Sequence, residues 1–206
     1  MSVTVKAFFG VSFANCYAIE IGGEIALVDI GDVSDGLMCY LKGREESVKY
    51  ILLTHDHFDH ILGVESILEV CPNAKVVIHK NDASGLQDSR YSLTSLVGVA
   101  QPNITPDVLV VDGDKLPLSN LKLEVLHTPG HTDGSVCYII EDNIFSGDTL
   151  FEGTCGRTDF ITGSYENILN SLKILAQYPK HYKVYAGHGN ITTIENELKF
   201  NPYLKL

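Results

Sequence analysis

The stretch Thr54-His55-Asp56-His57-Phe58-Asp59-His60 packs three histidines and two aspartates into seven residues, and its surroundings decide how the chain is read. It closes Val48 to Thr54, an apolar run with strand character, and precedes Ile61 to Val70, whose apolar residues recur at helical spacing until Pro72 stops them. Clustered imidazoles and carboxylates gain nothing from packing and lose free energy on burial unless something draws them together. A metal ion does so. His55 and His57, two apart in an extended turn, can face one ion while Asp59 and His60 face a neighbouring one, so the motif predicts two metals. Imidazole and carboxylate donors suit borderline first-row ions, with Zn²⁺ as the default and Fe or Mn as further options.

Further along the chain, three more candidate ligands stand at the ends of predicted strands, each beside a glycine that permits close backbone approach. Thr128-Pro129-Gly130-His131-Thr132 follows Leu121 to Leu126, Ser146-Gly147-Asp148-Thr149 follows Asn143 to Phe145, and Ala186-Gly187-His188-Gly189 follows Lys183 to Ala186. Each is weak evidence alone. With the first motif they give a ligand set of His55, His57, Asp59, His60, His131, Asp148 and His188. His79 and His127 read as strand-end residues and His181 as a surface residue.

The rest of the chain opens as a meander: Val3 to Phe9, Cys16 to Ile21 and Glu24 to Ile30 read as strands, the last two joined by the Gly22-Gly23 hairpin signal. A short helix is expected over Ser34 to Lys42 and a strand over Lys75 to His79. Asn81 to Asp107 has no clean period and reads as a short helix and a mobile loop. Val108 to Val111 and Ser135 to Ile140 read as strands, Tyr165 to Gln177 as a helix capped by Ser164, and a last helix lies near Ile194. Two runs of strands, each followed by helices, suit two sheets packed face to face with helices outside. No linker or short-period repeat interrupts residues 1–206, which are read as one domain starting at Met1.

Composition narrows the function. The 206 residues are 45% hydrophobic, enough for a substantial core, and no apolar run approaches the ~20 residues that span a bilayer. The N-terminus lacks the apolar stretch and cleavage site of a secretory signal. Five cysteines, widely spaced and without a C-x-x-C pair, suit a reducing cytoplasm. A net charge of −11 with no basic block argues against nucleic acid and anionic membranes as partners. Attraction for an anionic substrate would have to come locally, from bound cations. Composition leaves the oligomeric state open.

H-x-H-x-D-H, then G-H-T, G-D-T and G-H-G in that order, resembles the metallo-β-lactamase superfamily over nearly the whole chain. The resemblance implies an α/β (α+β) fold, a four-layer αββα sandwich of two mixed sheets flanked by helices. It implies one metal on His55, His57 and His131, a second on Asp59, His60 and His188, and Asp148 bridging both. It also implies that Asp29, in Val28-Asp29-Ile30-Gly31-Asp32, orients a ligand histidine from behind.

Within that superfamily, Asp148 to Phe160 and the tail Gly187-His188-Gly189-Asn190 with Asn201-Pro202 look most like the short glyoxalase II-like hydrolases. The implied reaction is thioester hydrolysis, typified by S-lactoylglutathione: a hydroxide held between the ions attacks the carbonyl carbon, with Asp59 and Asp148 in catalytic positions. Longer glyoxalase II enzymes add a C-terminal helical domain that binds glutathione, which leaves the thiol carrier open here. Cys155-Gly-Arg-Thr-Asp-Phe160 also resembles persulfide dioxygenases, where one iron would sit on His55, His131 and Asp148; Arg157 and Asp159 are otherwise read as an internal ion pair. A non-catalytic metal-binding protein is the alternative from another class, and the intact ligand set speaks against it.

Overall fold

The computed structural model describes residues 2–10 and 13–205. Among these, the strands form two six-stranded mixed sheets and a small hairpin. In the first sheet β1 (Thr4–Phe8), β2 (Cys16–Ile21), β3 (Glu24–Val28), β4 (Val48–Leu52), β5 (Lys75–His79) and β6 (Val108–Val110) lie in that spatial order. The pairs are antiparallel from β1 to β3 and parallel from β3 to β6. The second sheet uses β7 (Lys115–Leu118), β8 (Leu121–His127), β9 (Val136–Ile140), β10 (Asn143–Gly147), β13 (Lys183–Ala186) and β14 (Thr192–Thr193), neighbours in that order, with only β10 and β13 parallel. The hairpin pairs β11 (Leu150–Phe151) with β12 (Thr154–Cys155).

Alternation along the strands builds the layers, because successive side chains point to opposite faces. On β3, Ala26 and Val28 face the second sheet, where they meet Tyr138, Val136 and Phe145. Ile25 and Leu27 face the other way, onto Leu37 and Leu41 of α1 (Asp35–Leu41) and Val64 and Ile67 of α3 (Val64–Val70). On β9, Cys137 and Ile139 turn outward to Ile168 and Leu172 of α5 (Tyr165–Leu175) and Ile194 of α6 (Ile194–Phe200). Three apolar layers thus separate four structural ones, and the expected αββα sandwich is what forms. The Gly22-Gly23 turn has positive φ at both residues, the requirement of a two-residue hairpin, and the hydroxyl of Ser164 caps α5 by accepting the Asn167 N–H.

Three expectations are corrected. The helix expected from Ile61 begins earlier and is split into α2 (Phe58–Ile61) and α3, so Asp59 and His60 ride on a helical turn rather than ahead of one. The break is at Gly63, where a Cβ would press on the side chains of Ile30 and Val33. Asn81 to Asp107 holds two short helical pieces, Ala83–Leu86 and α4 (Thr94–Val97), rather than one. Strand β7 went unread because Pro117 interrupts it; it is a sheet edge, where proline is tolerated. No helix among the described residues is long and apolar enough to cross a membrane.

Candidate metal centre

All seven residues of the sequence-derived ligand set converge at one end of the sandwich, beyond the ends of β4, β8, β10 and β13. Donor atoms of His55, His57 and His131 lie within 4.8 Å of one another, as do those of Asp59, His60 and His188, and those of His55, His60 and Asp148. Asp148 stands between the first two groups. Its Oδ1 is 3.3 Å from His60 Nε2, and its Oδ2 is 3.5 Å from His131 Nε2 and 3.6 Å from His188 Nε2. His188 Nε2 also reaches Asp59 Oδ2 at 3.1 Å.

The proton positions are set from behind. His131 Nδ1 donates to the Arg157 carbonyl at 2.7 Å, leaving Nε2 bare toward His57 Nδ1, 2.8 Å away. Asp29 Oδ2 accepts from His60 Nδ1 at 2.8 Å and from the Thr54 hydroxyl at 2.8 Å. That hydroxyl, its proton committed to Asp29, accepts from His55 Nδ1 at 3.1 Å. These tautomers follow from the partners each ring is given. Asp29 therefore supports one imidazole in each triad, more than the single orienting contact the resemblance implies. The Thr54 relay and the Arg157 carbonyl were missed in the sequence; a backbone carbonyl carries no residue signature.

The donors fit metal ions. His55 Nε2, His60 Nε2 and Asp148 Oδ1 are buried with no hydrogen-bond partner, and orphaned buried polar atoms are rare without a reason. Burial, and next its imidazole neighbours, pushes His55 well below the ordinary imidazole range; burial and His131 bring His57 down to about 3. Both are neutral lone-pair donors at neutral pH. Burial alone would lower His60 too, but Asp29, Asp148 and Asp59 outweigh it and raise it far above that range. Burial would raise Asp148, yet His60, His131 and His188 hold it well below the usual carboxylate range. A positive charge is thus strongly favoured between His60 and the two carboxylates, and a cation serves there as well as a proton.

Local sequence explains the close approach. Gly147 has φ +47°, and a Cβ on it would collide with the Thr54 side chain; a Cβ on Gly187 would collide with Asp148 Oδ1 and crowd His60. The tail contributes as well: buried Glu197 accepts the Gly153 N–H, and Asn201 donates to Phe151 and Thr154 carbonyls, fixing the β11–β12 hairpin that follows Asp148. Asn15 donates to the Ala186 and Gly189 carbonyls and steadies the loop of His188. His79 and His127 end their strands and stack on each other at 4.2 Å, and His181 is exposed. Arg157 and Asp159 form the internal pair expected of them, with two 2.6 Å contacts.

Behind the first motif lies a buried acid pair that the sequence did not disclose, Asp56 and Asp82. Asp82 accepts the Thr132 hydroxyl at 2.6 Å and the Gly134 N–H at 2.7 Å, tying down the turn that carries His131. Burial and then Asp82 raise Asp56 well above the carboxylate range, and burial raises Asp82 to about 6. In the unfolded chain both titrate near 3.9. The folded protein therefore binds more protons above about pH 4, so this pair's contribution to stability is full below that and falls as pH climbs through about 6. Asp56→Asn is expected to raise the thermal midpoint relative to the parent at pH 8 and to change it little at pH 4. Equal shifts at both pH values would contradict the pairing.

The family model described as the metallo-beta-lactamase superfamily matches residues 9–188. The chain is 34% identical over 195 residues to the probable metallo-hydrolase YqgX of Bacillus subtilis, covering 93% of this chain and 92% of that one. It is 34% identical over 180 residues to a hydroxyacylglutathione hydrolase of Shewanella baltica, covering 87% of this chain but 62% of that enzyme. Among solved structures, the BLEG-1 B3 metallo-beta-lactamase superposes with a TM-score of 0.90 at 32% identity, over 98% of this chain and 100% of that one. ETHE1 from Myxococcus xanthus gives 0.77 at 30%, over 97% and 83%. TTHA1623 in a di-iron-bound form gives 0.83 at 31%, over 98% and 100%.

Proposed function

The chain belongs to the metallo-β-lactamase superfamily, and from that premise we propose that it is a two-metal hydrolase of small thioesters. The carrying observation is Asp148, buried and held ionised, facing His131 of one triad and His60 and His188 of the other. His55, His57 and His131 would hold one divalent ion and Asp59, His60 and His188 the other, with Asp148 facing both triads; Zn²⁺ is the metal such donors favour, and the di-iron relative keeps iron in play. When bound, such ions would lower the pKa of water from 15.7 to around 7 and polarise the acyl carbonyl.

The chain's own groups do the rest. Asp29 and the Arg157 carbonyl keep the ring protons of His60 and His131 on Nδ1, so Nε2 stays free as a donor. Asp59, its side chain partly exposed and its Oδ2 3.1 Å from His188 Nε2, is the carboxylate placed to take the proton released when water adds to the acyl carbon. The C–S bond then breaks, the thiolate takes up a proton, and carboxylic acid and thiol leave. No serine or cysteine nucleophile is needed, and Cys155, which burial pushes up to about 11, is a poor one. The likeness to a hydroxyacylglutathione hydrolase supports this reading.

The test pairs elemental analysis with thioester hydrolysis, followed as released thiol. Two ions per chain with turnover are expected. His57→Ala should lose metal and at least about 10²-fold in kcat/KM while its circular dichroism spectrum stays that of the parent; full activity at normal metal content would refute the site. A second reading rests on the ETHE1 neighbour and the persulfide-dioxygenase-like stretch Cys155 to Phe160. One iron per chain, with oxygen consumed on glutathione persulfide, would establish it instead.

A further inference from the structure

Five of the candidate ligands, His57, Asp59, His131, Asp148 and His188, line one part of a cavity of about 550 Å³. Its walls are Phe58, Leu93, Leu96, Val97, Phe151 and Phe160, and Arg157 is the cation among its lining residues. Leu96 and Val97 are 69% and 45% exposed, an unfavourable setting for apolar side chains unless something covers them. They are not on a loose flap. Gln101 Oε1 accepts the hydroxyl of buried Thr94 at 2.7 Å while its Nε2 donates to the Leu86 carbonyl at 2.8 Å. This ties α4 and the residues around it to the body of the protein.

The one cation is already engaged. Arg157 is forked on Asp159 and lies 4.2 Å over the Phe160 ring. Among the described residues the walls therefore present no free positive group to the two carboxylates of a glutathione carrier, on a chain whose net charge is −11. Metal ions on the ligand residues would concentrate the attraction for negative charge there, where the thiolate leaves.

Resting on the thioester-hydrolase reading, we propose that the preferred substrates are thioesters of an uncharged carrier whose aliphatic or aromatic acyl group is seated against Leu93, Leu96, Val97 and Phe160. Those residues set specificity. A cavity of this size suits a small organic ligand, and each methylene buried in it should tighten binding by about two- to fourfold.

The experiment uses the metal-loaded protein and N-acetylcysteamine thioesters from acetyl to octanoyl beside S-lactoylglutathione. The expected result is a kcat/KM that climbs about two- to fourfold per methylene until the cavity is filled and passes that of S-lactoylglutathione. A flat series with S-lactoylglutathione ahead would overturn the proposal while leaving thioester hydrolysis standing. Calorimetric titration of straight-chain carboxylates reads the same walls without turnover. If no thioester is cleaved by the two-metal protein, the hydrolase reading fails, and a flat calorimetric series would independently sink the apolar assignment. Leu96→Ser should flatten the chain-length gradient. Asp159→Asn, which frees Arg157, should lower KM for S-lactoylglutathione; no change in either variant counts against the assignment.

Discussion

Asp148→Asn is expected to leave the fold intact, reduce the metal content from two ions to at most one, and lower kcat/KM by about 10³-fold or more. The amide matches the carboxylate in shape, so the turn at Gly147 and the packing around it survive. What disappears is a negative charge that His60, His131 and His188 hold fully ionised against burial. In its place an NH₂ group would point at an imidazole nitrogen 3.3 to 3.6 Å away. A donor at that position repels a cation. Metal analysis, thiol release and the thermal midpoint together check this; two ions per chain with activity within threefold of the parent would show that Asp148 is peripheral.

The same residue shows why so much of the candidate site's convergence was legible in the sequence. His55, His131, Asp148 and His188 are chemically distinctive side chains just past strand ends, and the glycines beside the last three record the close approach. Gly147 gives way to Thr54 and Gly187 to Asp148, so the G-D-T and G-H-G motifs are geometry written in residue types. The layers were legible for a similar reason, since β3 and β9 divide their side chains between two apolar cores. What stayed hidden depends on pairings across the chain. Asp56 and Asp82 are unremarkable acids until β4 and β5 lie side by side in the first sheet. Strand β7 disappears behind Pro117 unless its place at a sheet edge is known. The cavity wall comes from α4, four residues long, in which a helical period has no room to show.

The second large effect is expected at Asp29. This carboxylate is 2% exposed and sits at φ +51°, a left-handed conformation that aspartate tolerates better than most side chains. Its Oδ1 accepts the Thr54 N–H at 2.8 Å, and its Oδ2 accepts from both the Thr54 hydroxyl and His60 Nδ1. Through Thr54 it also reaches His55, so the proton positions of one imidazole in each triad depend on it. Asp29→Ala leaves these donors buried and unmatched, each worth about 1–3 kcal/mol, and should lower stability by several kcal/mol as well as weaken metal binding. Asp29→Asn separates the two roles. Its amide oxygen can still accept the Thr54 N–H, but its NH₂ would then face His60 Nδ1 and drive that ring's proton to Nε2, the nitrogen a metal would need. The asparagine variant should therefore keep most of the thermal stability that alanine loses, yet bind metal about 10- to 100-fold more weakly. If both variants lose stability alike and the folded asparagine protein binds metal as the parent does, Asp29 only braces the turn, and the tautomers of His55 and His60 are set by something else.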